Sequence, residues 1–225
     1  MDIKLKALGP GVITALAAGA TGGINASAES QATGHFTCEV SPCTIRVSEA
    51  LGTSHRLELS IAGLTGIVCD EASYKGPVAT TVTDITLTPT YAECHTTGST
   101  TNVPIDVNGC TYTVTQPNKE SAKTEHTVDL VCPSGKNLVV THPECEIVIP
   151  PITGLKGFGY TTIIDNNKHA ITLTSSVEGL PAEFQKGICT LLGTFHVGKL
   201  IGSATVRGFD QLGHQVGITA TGSIN

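Results

Sequence analysis

Cysteine and histidine are the first side chains to consider for chemistry in this sequence, and one residue of each type is adjacent to the other. Cys94-His95 places a thiol beside an imidazole, the combination that activates a cysteine nucleophile. That chemistry needs a reduced thiol, whereas the cysteine pattern described below predicts that Cys94 is oxidised. His196 and His214 fall within strand-like segments that could approach each other. We expect structural roles for both.

Acidic and amide side chains form further candidate groups. Glu144 and Glu146 flank Cys145 on the predicted solvent face of a strand and are not expected to form an acid–base pair. His142-Pro143-Glu144 is predicted to be a solvated turn. Asp165-Asn166-Asn167 brings three oxygen-bearing side chains onto one turn, where calcium could bind. Because no further acids follow at fixed spacing, a polar hairpin turn is favoured.

The sequence motifs of several enzyme and metal-binding classes are missing. There is no GxSxG nucleophile elbow, no HExxH zinc motif, no glycine-rich phosphate loop with lysine and no EF-hand loop. CxxC pairs, which are usual in zinc sites, do not occur either. We therefore predict no catalytic, metal-binding or cofactor-binding residues, and no cofactor.

The cysteines predict a disulfide framework. They are even in number and all follow residue 28, which favours four disulfides over metal ligation. The first choice of partner for Cys110 is Cys94, and a loop of that size would contribute roughly 3 kcal/mol of stability. The disulfide candidates are Cys38, Cys43, Cys69, Cys94, Cys110, Cys132, Cys145 and Cys189.

The first 28 residues have the features of a signal peptide. Lys4 and Lys6 precede the apolar stretch 8–20, which is too short to span a membrane, and Ala26-Ser27-Ala28 is the small-x-small pattern read by signal peptidase. We predict cleavage after Ala28. The exported chain is then secreted, or lies at the cell-envelope surface, with no integral membrane span.

Residues 29–225 are predicted to form a single all-β region, with a subdivision, if any, near residue 150. Charged residues make up 14% of the chain, the net charge is −6, and no basic cluster exists, so nucleic acid is not an expected partner. Threonine, a β-branched residue, occurs 31 times after residue 28. We predict an antiparallel β-sandwich or barrel-like fold stapled by disulfides.

The prediction of an antiparallel β fold rests on short strand-like segments separated by Gly, Pro, Asn or Ser. Two segments are compatible with one helical turn each, at 48–51 and 181–186. The predicted strands are 36–47, 55–62, 66–70, 78–91, 103–107, 110–115, 125–132, 136–141, 145–149, 159–164, 170–177, 189–197, 200–207 and 214–221.

Two turns predict strand register. Asn108-Gly109 favours a type I′ hairpin that pairs Ile105 with Tyr112, and Pro104 restricts the first strand to an edge or a strand end. Pro133-Ser134-Gly135 fits a three-residue hairpin loop. It would pair Leu130 with Leu138 and Val128 with Val140, the beginning of a three-stranded meander. In that meander Cys132 and Cys145 lie too far apart for a disulfide, so either the meander is wrong or these two cysteines do not pair.

Several segments in order resemble a group of uncharacterised exported proteins of soil actinobacteria. The resemblance covers about residues 60–220. That group has no established activity, so the resemblance implies export and β structure but no functional residue. The segments are Leu87-Thr-Pro-Thr-Tyr91, Asn108-Gly-Cys-Thr-Tyr112, Cys132-Pro-Ser-Gly-Lys136, Cys145-Glu-Ile-Val-Ile-Pro-Pro151 and Gln215-Val-Gly-Ile218.

The leader, the cysteines and the missing motifs favour one function class over two others. We expect an exported, non-catalytic structural or binding protein whose partner is a protein or an envelope component. An extracellular hydrolase with a dispersed site is the first alternative, and a barrel that binds a small ligand is the second. Converging His and carboxylate groups in a deep pocket would favour the hydrolase. An interior cavity above about 300 Å³ would favour the ligand-binding barrel.

Overall fold

The computed structural model describes residues 34–49, 66–79, 81–115, 126–143, 145–186 and 194–221. Within these ranges the chain forms β-strands and turns without any helix. The predicted all-β class is therefore confirmed. The predicted signal peptide, the predicted strand at 55–62 and Cys189 lie outside the described residues.

The described residues form fifteen strands, and all the pairings among them are antiparallel. They are β1 (His35–Cys38), β2 (Cys43–Glu49), β3 (Ile67–Val78), β4 (Thr81–Val82), β5 (Asp84–Thr96), β6 (Ile105–Asp106), β7 (Thr111–Thr115), β8 (His126–Val131), β9 (Leu138–His142), β10 (Cys145–Ile149), β11 (Ile152–Asp165), β12 (Lys168–Gln185), β13 (Thr194–Phe209), β14 (Gln215–Val216) and β15 (Ile218–Thr221).

Eight of these strands close into a barrel. Their order is β13-β2-β3-β5-β7-β8-β11-β12, and the pairing of β12 with β13 closes the ring. Side chains alternate between the interior and solvent, as in β5, where Ile85, Leu87 and Pro89 are buried and the intervening threonines are exposed. Strands from both sides of Pro150-Pro151 contribute to this one barrel.

A three-stranded sheet, in the order β15-β1-β4, covers one end of the barrel. Its β1 contacts β3 and β5, and its β15 contacts β12 and β13. Phe36, Ile218 and Ala220 of this sheet are buried in the common core. We call this end of the molecule the capped end. It also holds the start of β2, the end of β13 and the turn between β11 and β12, as the strand registers require.

The other end of the barrel carries a short extension of the sheet. There β10 pairs with β12, β9 pairs with β10, and β6 pairs with β9 as the last strand of the sheet. The edge position predicted from Pro104 is thus confirmed for β6. Val140 of β9, Ile147 of β10 and Val103, which precedes β6, are completely buried.

Three disulfides staple the described residues, and they correct the pairing predicted for Cys94 with Cys110. Cys94 is bonded to Cys69, its direct partner in the β3–β5 register, with Cα atoms 3.8 Å apart. Cys110 is bonded to Cys132, one step beyond the Thr111–Val131 pair of β7 and β8. In both cases strand register, which spacing along the chain does not reveal, brings the sulfurs together. The third disulfide joins Cys38 to Cys43.

Cys132 and Cys145 do not pair with each other, and the predicted meander around them is also wrong. Leu130 pairs with Tyr112, and Leu138 pairs with Ile149. Cys145 lies opposite His142 and is itself disulfide-bonded.

The two predicted turns form, but the strands that flank them separate. Asn108 and Gly109 have φ values of 48° and 77°, as a type I′ turn requires, and the Cys110 amide donates to the Val107 carbonyl over 2.7 Å. Beyond the turn, Ile105 pairs with Val140 instead of Tyr112. The turn at Gly135 likewise closes through a 2.9 Å hydrogen bond from the Lys136 amide to the Pro133 carbonyl.

Two long strands replace shorter predicted elements. The helical turn predicted at 181–186 is wrong, because Pro181–Gln185 continues β12 and pairs with β13 and β10. The predicted helical turn at 48–51 begins instead with the last two residues of β2. The separate strands predicted at 189–197 and 200–207 are, over the described residues, one strand, β13.

Candidate functional site

The residues singled out by their chemistry do not assemble into one site. Cys94 is in a disulfide, so it supplies no thiol to His95. His196 lies near the start of β13, and His214 lies just beyond the end of the same strand. At the rise per residue of a β-strand, the two histidines are about 40 Å apart. These two residues therefore do not approach each other. Glu146 forms an ion pair with Lys186, and Glu144 lies outside the described residues.

Asp165-Asn166-Asn167 forms the turn between β11 and β12. Both asparagines have positive φ, 49° and 60°, which confirms the predicted hairpin turn. Asp165 is 5% exposed and accepts hydrogen bonds from Nε of Arg207 and from Nε2 of Gln215, the second over 3.3 Å. The Arg207 guanidinium is already paired with the Asp165 carboxylate, which a calcium ion would need as a ligand. Among the described residues, no group of three His, Cys, Asp or Glu side chains could hold a metal ion.

The Asp165 contacts are the centre of a polar network at the capped end. Nη1 of Arg207 donates to Oγ of Ser48 over 2.6 Å, and Nδ2 of Asn166 donates to Oε1 of Gln215 over 3.3 Å. The turn between β11 and β12 is thereby connected to β2, β13 and β14. The Arg207 hydrogen bond holds the pKa of Asp165 below its usual range, so the pair is charged at neutral pH.

The loop between β1 and β2 is fixed by a separate set of contacts next to this network. Oε2 of Glu39 accepts hydrogen bonds from the Gly217 amide over 2.9 Å and from Nζ of Lys168 over 3.3 Å. The Gly217 hydrogen bond, followed by the one from Lys168, lowers the pKa of Glu39. The Ser41 hydroxyl donates to the Ala79 carbonyl, and the Cys38–Cys43 disulfide closes the loop.

A third loop, between β13 and β14, is braced by its own aspartate. Oδ1 of Asp210 accepts hydrogen bonds from the amides of Leu212 and His214 over 2.9 and 2.8 Å. Oδ2 lies 3.2 Å from Nδ1 of His214. The His214 amide and side chain are the main causes that lower the pKa of Asp210. We refer to residues 39–42, 164–168 and 210–214 together as the capped-end loops.

The capped-end loops present apolar side chains to solvent. Val40, Ile164 and Leu212 are 47%, 64% and 82% exposed. They are three of the five large apolar side chains that are strongly exposed among the described residues. Each lies within two positions of a residue that holds its loop in place, namely Glu39, Asp165 or Asp210. The loops therefore display apolar groups from a fixed backbone, as recognition surfaces do.

The barrel interior holds a small cavity of about 60 Å³. Tyr74 and Tyr112 line it, and Tyr91 lies beside them with its hydroxyl 3.0 Å from that of Tyr112. Tyr74 packs edge-on against both other rings at centroid distances of 6.0 and 5.9 Å. Removal from water raises the pKa of all three phenols. Composition alone did not point to this cluster, because the three tyrosines are far apart along the chain.

The described part of the chain lacks any helical segment that could serve as a membrane span. No protein-family model, curated protein or solved structure matches the sequence or the fold. The function is therefore argued from the geometry of the capped end and the barrel interior.

Proposed function

We propose that this chain is an exported protein of the extracellular space or cell-envelope surface that acts by binding, and that its capped-end loops are the binding surface. The observation that carries the proposal is the exposure of Val40, Ile164 and Leu212 on loops held by hydrogen bonds and ion pairs. Exposed apolar groups on an ordered backbone lose little conformational entropy when a partner covers them.

Two features support export. Disulfides persist in oxidising compartments, and three of them join described residues. The first 28 residues carry the basic, apolar and small-residue pattern of a cleavable leader. Amino-terminal sequencing of the secreted protein is expected to begin at Glu29.

The partner is expected to be a protein or an envelope component with an apolar surface. The acidic side chains of the capped-end loops each have a local partner: Lys168 for Glu39, Arg207 for Asp165 and the His214 segment for Asp210. With these charges compensated within the chain, the apolar side chains are the groups left to select a partner.

A barrel that carries a small ligand is less well supported. Its interior cavity of about 60 Å³ is far below the roughly 300 Å³ at which ligand pockets begin. Leu87, Val114 and Val128 are among the side chains that fill the remaining space.

The proposal is tested with labelled protein and isolated cell envelopes of the producing strain. The combined change Val40→Ser, Ile164→Ser and Leu212→Ser is expected to lower retention on the envelopes at least tenfold. Its control is Val131→Ser with Ile201→Ser, two equally apolar exposed side chains outside the capped-end loops. Equal retention of both variants would refute the capped end as the binding surface.

A further inference from the structure

A second site lies around His95, near the end of β5 and away from the capped end. A surface concavity of about 400 Å³ is lined by charged and polar side chains of β3, β5 and the loop after β5. They are Asp70, Glu93, His95, Ser99, Thr100 and Asn102. We propose that this concavity hydrolyses small esters of uncharged polyols, with His95 as the general base. The inference is independent of binding at the capped end, and it adds a catalytic role to the proposed binding function.

The contacts of His95 fix the tautomer of its ring. Nδ1 lies 3.3 Å from the carbonyl oxygen of Glu93 and 3.6 Å from Oδ2 of Asp70. Both oxygens are acceptors, so Nδ1 carries the proton and donates to the carbonyl, while the nearby carboxylate adds electrostatic attraction. Nε2 then carries a lone pair, as a general base requires. The ring is 25% exposed, so water and substrate can reach it.

The backbone beside His95 is held in an uncommon conformation. Glu93 has a φ of 51° although it lies within β5. The carbonyl that orients the imidazole belongs to this residue, and the next residue, Cys94, is fixed to β3 by its disulfide with Cys69. Backbone strain of this kind persists where the surrounding structure enforces it, and such residues cluster at active sites.

Asn102 supplies a hydrogen-bond donor next to the base. His95 and Asn102 are opposite each other in an isolated antiparallel bridge, so their side chains leave the backbone on the same face with Cβ atoms about 5 Å apart. A side-chain amide in that position can stabilise the oxyanion of a tetrahedral intermediate. Thr100 offers a hydroxyl to a hydroxylated substrate, as does Ser99, whose hydroxyl also accepts a hydrogen bond from the Thr101 amide over 3.0 Å. The carboxylates of Asp70 and Glu93 disfavour an anionic substrate.

The reaction needs only water as co-reactant. Nε2 of His95 takes a proton from a water molecule while the water oxygen forms a bond to the carbonyl carbon of the ester. The carbonyl π electrons move onto oxygen, where the Asn102 amide stabilises the charge. When the intermediate collapses, the carbon–oxygen bond to the alcohol breaks, and the imidazolium returns its proton to the leaving oxygen. The products are a carboxylic acid and an alcohol.

The test uses the oxidised protein with glycerol triacetate and measures acetate release. The change His95→Gln is expected to lower kcat/KM about 100-fold, in line with the loss of a general base. Asn102→Ala is expected to lower kcat by a similar factor. Asp70 acts as a positioning residue. The change Asp70→Asn is therefore expected to lower kcat and to leave KM unchanged.

His169→Gln is the matched control. His169 is exposed in β12, belongs to none of the capped-end loops and does not line the concavity. Its change is expected to leave acetate release unaltered. The inference is overturned if the unmodified protein releases no acetate above the buffer rate. It is also overturned if folded His95→Gln protein keeps the unmodified kcat/KM, or if His169→Gln lowers it equally.

Discussion

Asp165 is the side chain on which the capped-end loops depend most. It is almost fully buried, and its carboxylate accepts hydrogen bonds from Arg207 and Gln215 on two other strands. A buried charge that loses its partner is costly, because the remaining charge is left without compensation. The loss of this carboxylate should therefore affect both the stability of the barrel and the order of the turn between β11 and β12.

The change Asp165→Asn is expected to lower the free energy of unfolding by about 2 kcal/mol, the usual contribution of hydrogen bonds to a charged group. Urea denaturation measures the difference. Asp84→Asn is the control, because Asp84 is exposed and accepts a hydrogen bond from its neighbour Thr83 over 2.9 Å. Equal effects of the two changes would contradict a special role for Asp165.

The same carboxylate predicts how stability depends on acid pH. Because Arg207 lowers the pKa of Asp165 in the folded state, the folded protein binds fewer protons than the unfolded chain as the pH falls through about 4. The stabilisation is complete above that pH and is lost as the pH falls through the lower folded-state pKa. Urea denaturation between pH 7 and pH 2 should show this loss, and Asp165→Asn should show a smaller one.

The tyrosine cluster predicts the opposite dependence at alkaline pH. Burial raises the pKa of Tyr74, Tyr91 and Tyr112 in the folded barrel, whereas unfolded phenols ionise near pH 10. Stability is therefore fully present below about pH 10 and falls as the pH rises further. In a phenolate absorbance titration, three tyrosines should ionise only at higher pH or on unfolding. Ionisation of all four near pH 10 in the folded protein would contradict the cluster.

Among the structural elements, turns are predicted well from sequence and strand partners are not. Asn108-Gly109 and Asn166-Asn167 form turns because their side chains tolerate positive φ, which is a local property. The partner of Ile105 is Val140, which is remote in sequence, and its identity depends on how the whole barrel closes. The predicted disulfide of Cys94 with Cys110 is wrong for the same reason.

A glycine in β11 provides a test of the strand bulges. Gly157 lies where the pairing of β11 with β8 shifts, has a φ of 93°, and would place a methyl group 2.3 Å from the Ser176 carbonyl oxygen. Gly154 has a φ of 68° in the same strand, but nothing lies within 4 Å of its methyl position.

Gly157→Ala is expected to cost at least about 1 kcal/mol more stability than Gly154→Ala, because the second change adds backbone strain without a steric clash. Thermal and urea unfolding of the two variants measure the difference. Equal destabilisation would mean that β12 does not approach β11 as closely as described.

At the scale of the whole molecule, composition and cysteine usage predict the fold class but not the closure of the sheet into a barrel. Threonine and valine in short, regularly spaced segments favour strands in either a sandwich or a barrel, and both were expected. The barrel results from the pairing of β12 with β13, two strands much longer than the segments predicted from the sequence. The sequence does not predict the capped-end loops either, because contacts such as Glu39 with Lys168 join residues remote in sequence.

Hydrogen–deuterium exchange of the protein bound to envelopes of the producing strain tests the proposed function most directly. Binding is predicted to slow exchange of backbone amides in the capped-end loops, residues 39–42, 164–168 and 210–214, and to leave the segment around His95 unchanged. Slowed exchange at another surface, with the capped-end loops exchanging as in the free protein, would contradict binding through the capped end.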